Sequence, residues 1–167
     1  MFFWFYSLND MDIEKLLAVY EEGTELQGAA LYPEETAMMQ KRLAERDFEE
    51  YLRYTFFRQK DAVYCVLAEN DSYISAARLE PYGDGYLLSA LETGPYFRRK
   101  GYGKLLLREL MNFCADRGML PIYSHVANEN LSSMGLHLQC GFQIQKEFAR
   151  FLDGSVSANS KTLVYKK

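Results

Sequence analysis

The first third of the chain combines one aromatic run with two helical patterns. Residues 1–6 are almost all apolar and aromatic, which predicts a short first β-strand. Apolar residues at helical spacing follow Asp10 and Asp12, and that helix is expected to end near Gly23. A glycine-containing link leads to Pro33, where a second helix is predicted to begin and to run toward Phe57. The pattern therefore predicts a helical hairpin behind the first strand.

The rest of the chain changes to strands and then alternates. Three strand-like segments at 62–68, 73–80 and 86–93 are separated by polar and glycine-containing turns, which predicts an antiparallel meander. Further on, helices are predicted from Gly101 to Gly118 and over 129–139, and strands over 122–126, 142–148 and 162–165. The predicted fold is α+β with three layers, in which a mixed, mostly antiparallel sheet of about six or seven strands lies between helices. Because no repeat or linker-like tract interrupts the pattern, residues 1–167 are expected to form a single domain.

Composition places the chain among ordinary soluble domains. Of its 167 residues, 49% are hydrophobic and 25% charged, which is enough apolar material for a packed core without a metal or a disulfide. The three cysteines are odd in number and lie among apolar residues, so we expect reduced thiols and a cytoplasmic protein. Apolar stretches are too short for a membrane span, and the N-terminal aromatic run lacks the basic start of a signal peptide. No membrane partner is therefore predicted.

Charge is distributed unevenly along the chain. The net charge is only −4, but residues 1–50 hold 12 acidic and 4 basic residues, whereas residues 93–167 hold 5 acidic and 11 basic ones. The basic part suits an anionic ligand, and the acidic part either attracts a cationic one or forms solvated helix faces. Nucleic acid is not predicted as a partner, because the overall charge is negative and the basic residues do not extend over a broad face.

The segment with the most chemical information is the loop between the third meander strand and the next helix. Such a loop directs free backbone N–H groups at one point, where the helix dipole also favours a phosphate. Gly101 and Gly103 let the backbone approach a ligand closely, and no acidic residue occurs between Thr93 and Arg108. The loop is not a P-loop, because Leu105 follows the lysine, and it is not a dinucleotide fingerprint, because Leu106 replaces the third glycine.

Two linked motifs carry a family resemblance. Arg98-x-x-Gly101-x-Gly103, at the start of a leucine-rich helix, resembles the coenzyme A loop of the GNAT N-acetyltransferases. The short strand at 122–126, Asn130 and the Gly141-Phe142 turn follow in the order and spacing of that family's next motif. The resemblance is specific over 86–148 and loose before it.

The resemblance implies a function and a division of the domain. It implies direct transfer of an acetyl group from acetyl-CoA, a cosubstrate, to the primary amine of a small molecule or a protein in a ternary complex, with no metal. Residues 1–85 would bind the acceptor and residues 86–148 would form the coenzyme A-binding core. A polyamine, an aminoglycoside or a lysine side chain suits the acidic first half, peptide N-termini and amino acids remain open, and a homodimer is left open. The implied coenzyme A contacts are Leu91, Thr93, Arg98, Arg99, Lys100, Gly101, Tyr102, Gly103, Lys104 and Asn130.

The chain departs from the family at the two proton-transfer positions. His137 stands where many members have a tyrosine that protonates the departing thiolate, so it is the predicted acid; alternatively it fills the helix face and solvent supplies the proton. Glu92 is the only acid on the strand before the loop, which makes it the predicted base, either directly or, like Glu80, through a water. Strand alternation puts Glu92 opposite Leu91 and Thr93 unless a bulge reverses the parity. These departures leave a second hypothesis, a non-catalytic module that binds or senses acyl-CoA on the same fold.

Overall fold

Seven strands form one mixed sheet at the centre of the protein. The computed structural model describes residues 1–167, and the strand order is β1-β2-β3-β4-β5-β9-β6. All neighbouring strands are antiparallel except β4 and β5, which are parallel. The two remaining strands, β7 and β8, pair with each other. The strands are β1 (Phe2–Phe5), β2 (Val63–Glu69), β3 (Ser72–Tyr82), β4 (Gly85–Thr93), β5 (Ile122–Ala127), β6 (Gln143–Lys146), β7 (Ala149–Arg150), β8 (Val156–Ser157) and β9 (Ser160–Tyr165).

Helices cover both faces of the sheet, which confirms the predicted three-layer α+β fold. The helices are α1 (Ile13–Val19), α2 (Glu21–Leu31), α3 (Ala37–Tyr54), α4 (Tyr102–Asp116) and α5 (Leu131–Gln139). Leu106, Leu107 and Leu110 of α4 pack into a buried cluster with strand residues on one face. Leu16 of α1 and Leu52 of α3 join Tyr64 in a second cluster on the other face. None of the five helices is both long and apolar enough to cross a bilayer.

The predicted helical hairpin needs correction, because its glycine-containing link is itself helical. α1 ends at Val19, and α2 begins two residues later and includes both Gly23 and Gly28. Gly28 is required for packing, since a Cβ there would overlap the backbone carbonyl of Gln40 in α3. The glycine therefore allows two helices to approach closely instead of ending one of them.

The boundaries of other elements also differ from the prediction. The helix expected from Pro33 begins only after Thr36, whose side chain caps α3 by accepting a hydrogen bond from the Met39 N–H. The strand expected over 142–148 is shorter, and the β7–β8 hairpin that follows it was not predicted. All three cysteines are free, as expected; Cys65 and Cys114 are buried and Cys140 is partly exposed.

Two features of β4 prepare the site. The pairing of β4 with β5 extends only from Tyr86 to Leu88 on β4, so the two strands separate beyond that point. A bulge follows immediately, at the break in register with β3, where Ala90 has a φ of 51°. The last residues of β4 therefore have backbone groups that no neighbouring strand on the β5 side engages.

Candidate active site

A large cavity lies beside the end of β4, beyond the point where β4 and β5 separate. Its volume is about 910 Å³, which is in the range of small-molecule binding sites. The end of β4, the following loop and the first turns of α4 and α5 form its walls. The lining residues are Leu91, Glu92, Thr93, Phe97, Arg98, Arg99, Gly101, Tyr102, Gly103, Lys104, Asn130, Ser132, Ser133 and Leu136.

The start of α4 forms an anion-binding wall of this cavity. Gly101 precedes the helix with a φ of 83°, and no side chain caps the helix N-terminus. The first backbone hydrogen bond of the helix runs from the Leu105 N–H to the Gly101 carbonyl. The amides of residues 102–104 therefore have no protein acceptor and are free to bind a phosphate, with the helix dipole adding to the attraction.

Gly103 is confined between two neighbours in this wall. A Cβ at this position would lie 3.2 Å from Oγ1 of Thr93 and 3.7 Å from Cδ2 of Leu136. The absence of a side chain thus keeps the entrance between β4 and α5 open beside the free amides.

The predicted cationic residues of the loop are used differently from one another. Arg99 and Lys104 line the cavity, whereas Lys100 does not and points its Nζ over the ring of Phe97. Arg98 lines the cavity, but its guanidinium donates to Glu22 at 2.7 Å and to Glu92 at 3.2 Å. Its Nε also donates to the Thr93 carbonyl, so Arg98 ties the loop to β4 and α2.

The start of α5 forms the opposite wall. Asn130 caps α5, since its Oδ1 accepts a hydrogen bond from the Ser133 N–H at 3.0 Å. This contact leaves the Asn130 amide nitrogen free to donate into the cavity. Sequence reasoning did not predict Ser132, Ser133, Leu136 and Phe97 as lining residues; the spacing of α5 from its cap was the signal that could have found the first three.

Glu92 lies on the wall contributed by β4. Its neighbour across the sheet is Ala76, which faces α1 and α3, so Glu92 lies on the opposite face from Leu91 and Thr93. The bulge does not change this relation, because it precedes Leu91. It does place Glu92 on the same face as Ser89, three residues earlier.

His137 does not line the cavity. It is only 2% exposed, its Nδ1–H donates to the Ser133 carbonyl at 2.8 Å, and its Nε2 accepts from the Ser124 hydroxyl at 3.0 Å. Burial lowers the pKa of this ring below its ordinary value of 6.5, so it is neutral at pH 7. Its contacts attach α5 to β5, and the nearest cavity-lining hydroxyl is that of Ser133, 3.4 Å from Nδ1.

Other chemistries have little support in the structure. The residues include no group of three or more histidine, cysteine or acidic side chains arranged to hold a metal ion. Burial raises the pKa of the Cys114 thiol to about 12 and the pKa of Cys65 well above its ordinary value, so both thiols are protonated at neutral pH. Neither is suited to nucleophilic catalysis.

Several acidic residues of the first half, which suited a cationic acceptor, form contacts within the fold. Lys41 contacts both Glu21 and Glu25, Glu22 contacts Arg98, and Tyr32 donates to Asp47. Glu21, Glu22 and Glu25 are therefore engaged in ion pairs within the fold.

The protein has a three-layer fold in which the parallel strands β4 and β5 separate beside the uncapped N-terminus of α4. These features define a protein of the acyl-CoA N-acyltransferase type. Comparison with known sequences agrees: the Acetyltransferase (GNAT) family profile matches residues 20–142. The chain belongs to this family of acetyltransferases. A search of curated proteins gave no match.

Solved structures share the fold at low sequence identity. PaiA N-acetyltransferase from Thermoplasma acidophilum, in complex with coenzyme A, is 17% identical, with a TM-score of 0.70 over 100% of this chain and 99% of that chain. The ribosomal-protein-S18-alanine N-acetyltransferase from Escherichia coli is 18% identical, with a TM-score of 0.62 over 98% and 92% of the two chains. A putative streptothricin acetyltransferase from Bacillus anthracis, in complex with acetyl coenzyme A, is 15% identical, with a TM-score of 0.54 over 69% of each.

Proposed function

We propose that this protein transfers an acetyl group from acetyl-CoA to the primary amine of a small molecule or a protein, by direct attack in a ternary complex. The observation that carries the proposal is the cavity between the end of β4 and the start of α5, which ends at the free amides of residues 102–104. The coenzyme A-bound neighbours share this fold and support the choice of donor.

The shape and charge of the cavity fit such a donor. The pyrophosphate binds the free amides with Arg99 and Lys104 beside it, while Tyr102 and Gly103 form the floor. The pantetheine arm extends along Leu91 and Thr93, whose backbone has no partner strand on the β5 side, and receives a hydrogen bond from Asn130. Arg98 holds the loop against β4, and Lys100 contributes only long-range charge.

The proposed chemistry depends on positioning and on two proton transfers. Acetyl-CoA supplies an activated thioester carbon, and free N–H groups of β4 stabilise the negative charge that develops on its oxygen. The Glu92 carboxylate, fixed by Arg98, takes the proton that the attacking amine loses, directly or through a water. Glu80 is a weaker candidate, because it is buried and accepts a hydrogen bond from Gln59 at 2.6 Å.

The departing thiolate takes its proton from solvent, and the Ser133 hydroxyl can donate a hydrogen bond to it. This hydroxyl lines the cavity and lies beside Nδ1 of His137, so His137 acts through it as a positioning residue. A free thiol has a pKa near 8.5, so the thiolate needs little help from an acid at neutral pH. This assignment replaces direct donation by His137, which has no contact with the cavity.

Substitution of the two carboxylates that contact Arg98 tests the base. Glu92→Gln is expected to lower kcat at least tenfold with little change in the KM for acetyl-CoA. Glu22→Gln removes the other carboxylate at the same guanidinium and lies outside the cavity, so it is the matched control. Equal rates for Glu92→Gln and the unmodified protein would exclude Glu92 as the base.

A non-catalytic acyl-CoA sensor is the alternative, favoured by the absence of His137 from the cavity. The two hypotheses differ in turnover. Calorimetric titration with acetyl-CoA, with adenosine diphosphate as the control, tests the donor site that both share. Thiol release in the presence of amines then tests the enzyme, and binding without release by any amine class would favour the sensor.

We propose one domain in which residues 1–85 supply the acceptor side and residues 86–148 the donor side. The free thiols favour a reducing, cytoplasmic setting. A homodimer remains a prediction that size-exclusion chromatography with light scattering tests.

A further inference from the structure

Four buried side-chain atoms have no hydrogen-bond partner in the protein, and they belong to only three residues. The atoms are Nε of Arg78, Oγ of Ser89 and both ring nitrogens of His125. Buried polar atoms are almost always paired in native proteins, so unpaired ones call for an explanation such as a ligand. If these unpaired atoms lie close together, a single ligand could bind all of them.

The sheet register brings these three residues together. Arg78 on β3 is directly opposite Ser89 on β4. His125 follows Ser124, which is the last β5 residue to pair with β4, through Leu88. His125 and Ser89 are therefore the next residues of the two strands, on either side of the point where the strands separate.

All three side chains lie on the same face of the sheet. Leu88 belongs to the cluster under α4, so its neighbour Ser89 faces the opposite way. Tyr82 packs on both Tyr123 and His125, with ring centroids 5.4 and 5.5 Å apart, which places the two β5 side chains on one face. Tyr123 and Leu87 share a cluster, and Leu87 lies on the Ser89 side of β4.

Arg78, Ser89 and His125 together form a row that is next to the cavity proposed to bind the acetyl donor. None of the three residues lines that cavity. Leu91 and Glu92, at the cavity wall, are two and three residues beyond Ser89 along β4. The bulge at Ala90 separates the two regions and turns Glu92 to the face of the row. An acceptor on this face would reach the gap between β4 and β5 from the side opposite α4 and α5.

Arg78 is the charged member of the row, and no carboxylate lies within ion-pairing distance of it. Its guanidinium carbon lies 5.0 Å from the ring centre of Tyr51 and 5.8 Å from that of Phe56. Glu80 shares its face but hydrogen-bonds Gln59 instead. A half-buried guanidinium between aromatic rings, with free donors, is well suited to bind a planar carboxylate with two hydrogen bonds.

We infer that Arg78, Ser89 and His125 form the acceptor site, and that the acceptor is a small amine that also carries a carboxylate, of which an amino acid is the simplest example. The carboxylate binds Arg78, and the amine lies between Ser89 and His125 at the strand separation. Burial lowers the pKa of His125, so its neutral ring offers one nitrogen that accepts from the amine. This inference rests on the proposed acetyl transfer and replaces the expectation of a purely cationic acceptor.

A comparison of matched amines tests the inference. Initial rates of thiol release are measured with the proteinogenic amino acids and with their carboxamides, which keep the amine and lose the negative charge. We expect kcat/KM to favour the acids at least tenfold for the best side chain. Arg78→Gln should collapse that preference at least tenfold, and Arg78→Lys should restore part of it.

Two controls separate this inference from the proposed function. Arg42→Gln removes an exposed arginine of α3 and should leave the preference for acids unchanged. Acetyl-CoA affinity, measured by calorimetry on every variant, reports on the donor site. If no form binds acetyl-CoA, the proposed function fails.

Two results would overturn the acceptor assignment alone. One is acetyl-CoA binding with equal turnover of acids and carboxamides, and the other is a preference for acids that survives in Arg78→Gln. If acetyl-CoA binds and no amino acid is acetylated, the amino acids are titrated into the coenzyme A complex to measure whether they bind. Loss of binding in Arg78→Gln supports the site, and absence of binding to the unmodified protein refutes it.

Discussion

Gly103→Glu provides the sharpest test of the donor site, because it introduces a negative charge at the second residue of α4. A carboxylate and a phosphate about 5 Å apart repel by roughly 3 kcal/mol at an effective dielectric constant of about 20. The new side chain must also fit beside Thr93, since its Cβ would lie 3.2 Å from Oγ1. We therefore expect acetyl-CoA affinity to fall by at least about two orders of magnitude.

The same substitution should have little effect on folding. A carboxylate in the first turn of a helix stabilises it by roughly 0.3–1 kcal/mol, and replacing a helical glycine contributes a similar amount. These gains offset the close contact with Thr93, so the melting temperature should stay within a few degrees. Unchanged stability with lost binding is the combined result we expect.

Calorimetric titration with acetyl-CoA is the assay, and two variants make it interpretable. Gly103→Gln has nearly the same shape without the charge and should retain clearly more affinity than the glutamate variant. Gly23→Glu adds the same charge on α2, where nothing lies within 4 Å, and should bind normally. Wild-type affinity in Gly103→Glu would refute the assignment of the pyrophosphate to this loop.

Three further predictions follow from individual contacts. Asn130→Asp keeps the cap on Ser133 but loses the amide donor, so acetyl-CoA affinity should fall while the melting temperature stays unchanged. Asn130→Ala should lose the same affinity and also about 1 kcal/mol of stability. Wild-type affinity for acetyl-CoA in both variants would remove Asn130 from the donor site. Gly28→Ala should destabilise the protein by roughly 1–3 kcal/mol in urea unfolding, whereas Gly23→Ala should not, and the reverse order would contradict the packing of α2 on α3. Because burial lowers the pKa of His137, its stabilising contribution is present above pH 6.5 and is lost as the pH falls. The free energy of unfolding should therefore decline on acidification, and His137→Gln should make that decline less steep. An unaltered pH profile of the unfolding free energy would argue against a buried neutral ring.

Sequence reasoning predicted most elements and singled out a candidate donor loop, because both depend on local rules. Alternating apolar residues predicted β2, β3 and β4, and the spacing from Arg98 to Gly103 predicted a phosphate-binding helix start. Local rules failed at Gly28, whose role depends on a carbonyl of another helix. A glycine pattern alone does not distinguish a helix end from a close helix contact.

Only the tertiary structure decided which side chains reach the candidate active site. His137 occupied the expected sequence position, but its short side chain reaches Ser124 on β5 and is buried there. Arg78 attracted no attention in the sequence, because its importance comes from the strand opposite it and from the lack of an acidic partner. Charge, spacing and periodicity are properties of the chain, and they determined the family and predicted the candidate donor loop. Burial, pairing across strands and the separation of β4 from β5 are properties of the packed sheet, because they depend on residues far apart in sequence.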